Sequence, residues 1–129
     1  MKISVIIPVY NEVGSLRELY GELVQALAPY EKYEILFIDD GSTDGSFDVI
    51  KELGETDTHI NLFQFHRNYG KSAALAEGFK YAEGDQIITM DADLQDDPSE
   101  ITNLIQKLEE GFDLVSGWKK NRKDPLSKK

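Results

Sequence analysis

The chain has 129 residues, 40% of them hydrophobic, which suits a single domain with a sizeable core. It contains no cysteine, which excludes disulfides, thiolate zinc ligands and a cysteine nucleophile. Its net charge of −10 argues against general nucleic-acid binding, which needs a basic surface.

Strand and helix signals alternate along the chain. Runs of β-branched and aromatic residues predict strands, and apolar residues spaced three and four apart predict helices between them. The first helix stops at Pro29 and the second closes at Gly54, while Asp97 and Pro98 begin a fourth. The predicted strands cover residues 3–7, 33–38, 60–65, 86–90 and 113–117, and the predicted helices cover 15–28, 47–53, 71–81 and 98–110.

This alternation predicts an α/β fold, with a mostly parallel sheet and helices on both of its faces. In such sheets ligands bind outside the carboxyl ends of the strands. Polar residues follow four of the predicted strands at that edge, in residues 8–12, 39–42, 66–71 and 91–95. The sequence therefore predicts a ligand-binding cleft there.

The segment Asp91-Ala92-Asp93 is the most informative of these turns. In extended backbone two carboxylates spaced i, i+2 point to the same side, and they repel each other unless a cation lies between them. Carboxylate oxygens suit Mg²⁺ or Mn²⁺, which is commonly held together with substrate phosphates. The segment therefore indicates a metal–diphosphate site, the alternative being an ordinary solvated acidic loop.

The other turns supply what a nucleotide needs. Tyr10 can stack on a base and Asp39 can accept a hydrogen bond from a ring N–H, although Tyr10 equally suits a cover for the sheet edge. Glycine motifs of dinucleotide-binding folds and of P-loops are absent. The candidates for binding the ribose hydroxyls are Glu12, Asp40 and Asp91. The candidates for binding the phosphates are Arg67, Lys71 and the helix that follows Gly70. We interpret Asp44 as a turn residue and His66 as a packed or surface histidine.

Charge is unevenly distributed along the chain. Residues 119–129 hold six basic residues against Asp124 alone, a net charge of +5, whereas residues 1–118 hold eight basic and 23 acidic residues, a net charge of −15. We read this basic run as the start of a further region, the alternative being a solvated terminus. No apolar run approaches the ~18 residues of a membrane span.

Four motifs occur in order along the chain: IIPVYNE at 6–12, DDGSTD at 39–44, RNYGK at 67–71 and DADLQDDP at 91–98. Together they resemble family 2 glycosyltransferases of the GT-A fold, and most closely the polyprenyl-phosphate branch. That branch includes dolichol-phosphate mannosyltransferases and bactoprenol glucosyltransferases. The resemblance covers essentially the whole chain.

The resemblance implies a Rossmann-like nucleotide-sugar-binding domain over residues 1–118 and an inverting, metal-dependent transfer from a UDP- or GDP-linked sugar. The metal, Mg²⁺ or Mn²⁺, would offset the charge that develops on the leaving diphosphate. The implied roles are base and ribose binding by Pro8, Tyr10, Glu12 and Asp39, lining of the nucleotide cleft by Asp40 and Lys71, and metal binding by Asp91, Asp93 and Gln95, of which Asp91 and Asp93 are the catalytic pair.

A polyprenyl phosphate is the acceptor that the resemblance implies, and because it is already ionised it needs no general base. The alternatives are a saccharide hydroxyl as acceptor, a nucleotide- and metal-binding module without turnover, and, less favoured, a nucleotidyltransferase. Relatives in this branch are longer, so we expect the 129-residue chain to bind the donor without completing transfer. In a complete protein we expect residues 119–129 to approach an anionic membrane at its cytoplasmic face. The sequence leaves the base, the sugar and the oligomeric state open.

Overall fold

The computed structural model describes residues 2–93, 103–107, 110 and 114–117. Most strands are near-continuous apolar runs, as expected where both faces of a parallel sheet are covered. The strands are β1 (Lys2–Val9), β2 (Lys32–Asp39), β3 (Ile60–Gln64), β4 (Gln86–Met90) and β5 (Leu114–Gly117). The helices are α1 (Leu16–Leu27), α2 (Ser46–Thr56) and α3 (Lys71–Tyr81), and residues 103–107 are also helical.

The five strands form one parallel sheet in the order β3-β2-β1-β4-β5. Alternate residues of β1 face opposite layers. Val5 and Ile7 belong to a core cluster with α1, α2 and the segment 103–107, whereas Ile6 belongs to a second cluster with α3. The predicted α/β fold with helices on both faces is therefore confirmed.

Helix α3 lies unusually close to the sheet. A Cβ built on Gly78 would stand 2.3 Å from Ile6 Cγ2 and 3.2 Å from Ile38 Cδ1. Both isoleucines are fully buried. The absence of a side chain at position 78 is thus what allows the helix to approach β1 and β2.

The predicted boundary of α2 is wrong, because the helix continues through Gly54 to Thr56. Gly54 faces Ile60 of β3, where an added Cβ would make only ordinary contact at 3.5 Å. The helix ends instead at Asp57, whose extended backbone donates its N–H to Leu53 O. A cap and packing against β3 thus outweigh the cost of about 1 kcal/mol that glycine carries inside a helix.

Other predicted boundaries agree within one or two residues, except where the structure gives no description. The start of the fourth helix at Asp97, its end at Gly111 and the basic residues 119–129 lie outside the described residues. The division at residue 118 therefore stays a prediction.

Candidate functional site

A cavity of about 390 Å³ lies at the carboxyl end of the sheet. Its walls come from the end of β1 and from the turns that follow β1, β2, β3 and β4, and β1 and β4 are the neighbouring strands at which the strand order reverses. Parallel sheets form a crevice at such a switch point because the connections leave in opposite directions. The cavity is lined by Pro8, Val9, Tyr10, Glu12, Asp40, Asn68, Gly70, Lys71, Asp91, Ala92 and Asp93.

Hydrogen bonds join the turn after β1 to the turn after β2. Asn11, in a left-handed conformation with φ of 53°, accepts a hydrogen bond from Thr43 N at 2.7 Å. Its own N–H donates to Ser42 Oγ at 2.9 Å, and Glu12 N donates to Ser46 Oγ at 3.0 Å. These bonds brace the segment that carries the cavity-lining Glu12.

Asp44 makes the turn contacts that the sequence predicted for it. Its Oδ1 accepts from Ser46 N at 3.0 Å and Ser46 Oγ at 2.6 Å, and its Oδ2 accepts from Val13 N at 3.1 Å. Burial acts to raise the pKa of Asp44, but these hydrogen bonds outweigh it and hold the pKa below its ordinary value. Asp44 therefore stabilises the two turns as a carboxylate.

Asp40 holds the loop that precedes α3. Its Oδ1 accepts from Tyr69 N at 2.7 Å, and its Oδ2 accepts from Gly70 N and Asn68 Nδ2, each at 3.0 Å. Asp40 is only 3% exposed. A carboxylate with three donors of its own chain is better suited to positioning this loop than to receiving a ribose hydroxyl, although it also lines the cavity.

Backbone packing holds the same loop from the other side. Gly41 has φ of 75°, and a Cβ there would stand 2.3 Å from the carbonyl carbon of Arg67. Only glycine therefore fits at position 41. Arg67 is a predicted phosphate ligand, but it does not line the cavity. Its guanidinium carbon lies 5.5 Å from the ring centre of Tyr69.

Asp39 does not line the cavity, although its neighbour Asp40 does. Asp39 is fully buried, and its Oδ1 accepts from Ser42 N at 3.1 Å. Its buried Oδ2 has no hydrogen-bond partner among the described residues. Asp39 therefore offers no exposed oxygen to the cavity in this structure, and its contact with a base stays a prediction.

The Asp91-Ala92-Asp93 segment forms another part of the cavity wall. Ser15 Oγ, at the start of α1, donates to Ala92 O at 2.7 Å and fixes the segment's backbone. Asp91 Oδ1 forms an ion pair with Lys71 Nζ. Asp91 Oδ2 is buried and has no hydrogen-bond partner among the described residues.

This wall fits a hard divalent cation only in part. Within the described ranges no group of three or more His, Cys, Asp or Glu side chains is placed to hold a metal. Asp91 and Asp93 nevertheless line the cavity, and Mg²⁺ needs only one or two carboxylates when phosphate oxygens and water complete its shell. Gln95, the third predicted ligand, lies outside the described residues.

The structure thus brings most of the predicted site residues to one cavity. Sequence reasoning gave no role to Asn68, which lines the cavity and contacts Asp40, or to Ser15, which holds Ala92. Asn68 lies inside a recognised motif, whereas Ser15 has no signal beyond its place before a helix. The predicted residues that line the cavity are Pro8, Tyr10, Glu12, Asp40, Lys71, Asp91 and Asp93.

A second group of ionisable side chains lies at the amino end of β3, remote from the cavity. Tyr20 OH donates to Asp57 Oδ2 at 2.6 Å, His59 Nδ1 is 2.7 Å from Asp57 Oδ1, and the His59 ring stacks on Tyr33 with centroids 4.0 Å apart. Burial and then the Asp57 hydrogen bond raise the pKa of Tyr20 to about 12. Burial acts to raise the pKa of Asp57, but the hydrogen bonds from Tyr20 and His59 outweigh it and lower that pKa. The group ties α1 to the turn between α2 and β3.

In the part of the chain that the structure describes, no helix is long and apolar enough to cross a membrane.

Comparison with protein families gives a match to the model of "Glycosyl transferase family 2" over residues 4–128, almost the entire chain. Curated relatives include the undecaprenyl-phosphate 4-deoxy-4-formamido-L-arabinose transferases of Salmonella choleraesuis and Salmonella newport. Each is 48% identical over 130 aligned residues, which cover 99% of this chain and 40% of the relative. The chain therefore spans about two fifths of the length of these relatives.

Solved structures with the same fold include two with bound nucleotide sugars. A mannosyltransferase from Pyrobaculum calidifontis in complex with GDP-Man and Mn²⁺ superposes with a TM-score of 0.71 at 28% identity, over 82% of this chain and 32% of that one. Residues 1–349 of TarS from S. aureus in complex with UDP-GlcNAc superpose with a TM-score of 0.68 at 26% identity, over 85% of this chain and 32% of that one.

Proposed function

The chain belongs to glycosyl transferase family 2, and from this premise we propose that it binds a nucleoside diphosphate sugar and a divalent cation for transfer of the sugar to a polyprenyl phosphate. The observation that carries the proposal is the convergence of Asp91, Asp93 and Lys71 on one cavity at the switch point of the sheet. The 48% identity to undecaprenyl-phosphate transferases supports the polyprenyl phosphate as acceptor.

Diphosphate binding is supported by the positive groups on the cavity wall. Lys71 is the first residue of α3, so both its ammonium and the positive end of the helix dipole lie beside the Asp91 carboxylate, which follows β4. A cation held by Asp91 and Asp93 would stabilise the charge on the departing diphosphate. Asp40 and Gly41 keep the loop before α3 in place while this charge develops.

Base binding is assigned to the turn after β1. Tyr10 is 48% exposed and lines the cavity, so its ring is available to stack on a base. Glu12 lines the same cavity and is a candidate for the ribose hydroxyls. Neither contact selects uracil over guanine, and the two similar structures carry one of each nucleotide.

Acceptor chemistry follows from the charge of a polyprenyl phosphate. One of its oxygens attacks the anomeric carbon of the sugar as the bond from that carbon to the diphosphate oxygen breaks, which inverts the configuration. The attacking oxygen is already ionised near neutral pH, so the step needs no general base from the chain. A sugar hydroxyl as acceptor would require one.

Calorimetry with UDP and GDP, each in Mn²⁺ and in EDTA, tests the donor site directly on the 129-residue chain. We expect one nucleotide to bind, and to bind more tightly with Mn²⁺. Equal affinity in EDTA would refute the metal, and no binding of either nucleotide would refute the donor site.

The acceptor is tested with a protein of the relatives' full length that carries this chain. Labelled UDP- and GDP-linked sugars are incubated with polyprenyl phosphate or with oligosaccharides in parallel. A labelled lipid product supports the proposal. Transfer only to oligosaccharides would favour the saccharide alternative, and binding without transfer to either acceptor would favour a module without turnover.

A further inference from the structure

Lys71 and Asp91 form an ion pair across the cavity, and this pair occupies a proposed metal ligand. Lys71 Nζ contacts Asp91 Oδ1, with the two side chains 34% and 14% exposed. The second oxygen of Asp91 is buried. One carboxylate oxygen is therefore covered by an ammonium and the other by protein.

A divalent cation cannot use Asp91 without meeting this ammonium. Binding at Oδ1 would place two cations at one oxygen, and binding at Oδ2 would leave them within the width of one carboxylate. Like charges at such a distance repel strongly where the site is shielded from water. The cation and the Lys71 ammonium therefore compete for one carboxylate.

A diphosphate gives Lys71 a second anionic partner at the same cavity. The lysine ammonium is a compact charge on a flexible stem, so it can change partners without moving its backbone. That backbone is held, because Asp40 accepts hydrogen bonds from the two preceding residues, Tyr69 and Gly70. The side chain can turn while the helix start stays fixed.

We infer that Lys71 is an internal counter-ion for Asp91, which a nucleoside diphosphate draws away so that the divalent cation can bind. The inference rests on the proposed function, because it requires metal and nucleotide to share this cavity. It makes the two ligands cooperative. Each must raise the affinity of the other by the same factor, because coupling between two sites is reciprocal.

The test is Mn²⁺ calorimetry on the chain, with and without saturating UDP or GDP, whichever binds. Wild type should bind Mn²⁺ at least about fivefold more tightly with nucleotide present. Lys71→Met removes the competing charge, so without nucleotide it should bind Mn²⁺ several-fold more tightly than wild type and show less cooperativity. Lys51→Met, which removes an exposed lysine from α2, should match wild type.

Two results would overturn the inference. One is a folded Lys71→Met chain that binds Mn²⁺ without nucleotide no more tightly than wild type. The other is a lack of cooperativity between Mn²⁺ and nucleotide in wild type, a measurement that needs no variant. If wild type binds nucleotide in EDTA as tightly as in Mn²⁺ and shows no Mn²⁺ binding, the metal part of the proposed function fails as well.

Discussion

Replacement of Asp40 by Asn should release the loop before α3. The native carboxylate accepts from Tyr69 N, Gly70 N and Asn68 Nδ2 at 2.7 to 3.0 Å. An amide can place its oxygen on one side only, so its NH₂ group must face at least one of these donors. Asp40→Asn therefore loses at least one hydrogen bond to a charged acceptor and weakens the others.

The expected loss of stability follows from this count. One lost bond to a charged group costs about 1.5–3 kcal/mol, and each remaining bond falls from the charged to the neutral range. A total of about 4 kcal/mol is expected, which for a domain of this size lowers the melting temperature by roughly 15 °C. Nucleotide affinity should fall as well, because the same loop sets the position of Lys71.

Thermal unfolding followed by circular dichroism measures the stability, and calorimetry measures nucleotide affinity. Asp48→Asn is a matched control, because it makes the same charge change at an exposed position in the first turn of α2. The control should lose less than about 1 kcal/mol. If Asp40→Asn melts within ~2 °C of wild type, the three hydrogen bonds do not hold the loop and this reasoning is wrong.

Three further substitutions test other parts of the molecule. Gly78→Ala should lower the free energy of unfolding in urea by about 1–2 kcal/mol, because its Cβ would overlap the buried Ile6. The control Gly21→Ala in α1, where an added Cβ has nothing within 4 Å, should raise that free energy. An increase in stability for Gly78→Ala would contradict the close packing of α3 on the sheet. Because the pKa of Tyr20 is raised to about 12, the stability that this side chain contributes is complete below pH 10 and is lost as the pH rises toward 12. The urea midpoint should therefore fall more over this pH range for wild type than for Tyr20→Phe. Midpoints that fall in parallel for the two proteins would refute this. Asp91→Ala should remove the Mn²⁺-dependent part of nucleotide binding, about 2 kcal/mol or more by calorimetry, and retention of that part would exclude Asp91 as a metal ligand.

Local pattern was sufficient to predict the architecture. Apolar strands that alternate with amphipathic helices can bury both kinds of surface only in a parallel sheet covered on both faces, so the fold follows from periodicity. Helix boundaries depend on weaker effects. Gly54 reads as a helix end in the sequence but lies inside α2, because the packing of α2 against β3 and the cap at Asp57 determine the end.

The location of the cavity also follows from the sequence. The carboxyl ends of parallel strands share one edge of a sheet, so Tyr10, Lys71 and Asp91 were expected to meet although they are far apart in the chain. The order of the strands is not encoded locally. Only the folded sheet places β1 beside β4, so that residues following these two strands line the same cavity.

The roles of adjacent residues required the tertiary structure. Asp39 and Asp40 are adjacent residues of the same type, so residue type alone cannot distinguish their roles. Because neighbours on extended backbone point to opposite sides, Asp39 is buried away from the cavity wall while Asp40 lines the cavity and holds the loop before α3. The fold class and the edge of the sheet that carries the cavity follow from the sequence alone, since both depend on short-range pattern. Contacts between segments that are distant in the chain determine which carboxylate lines the cavity and which lysine pairs with Asp91. A local sequence pattern does not contain these contacts.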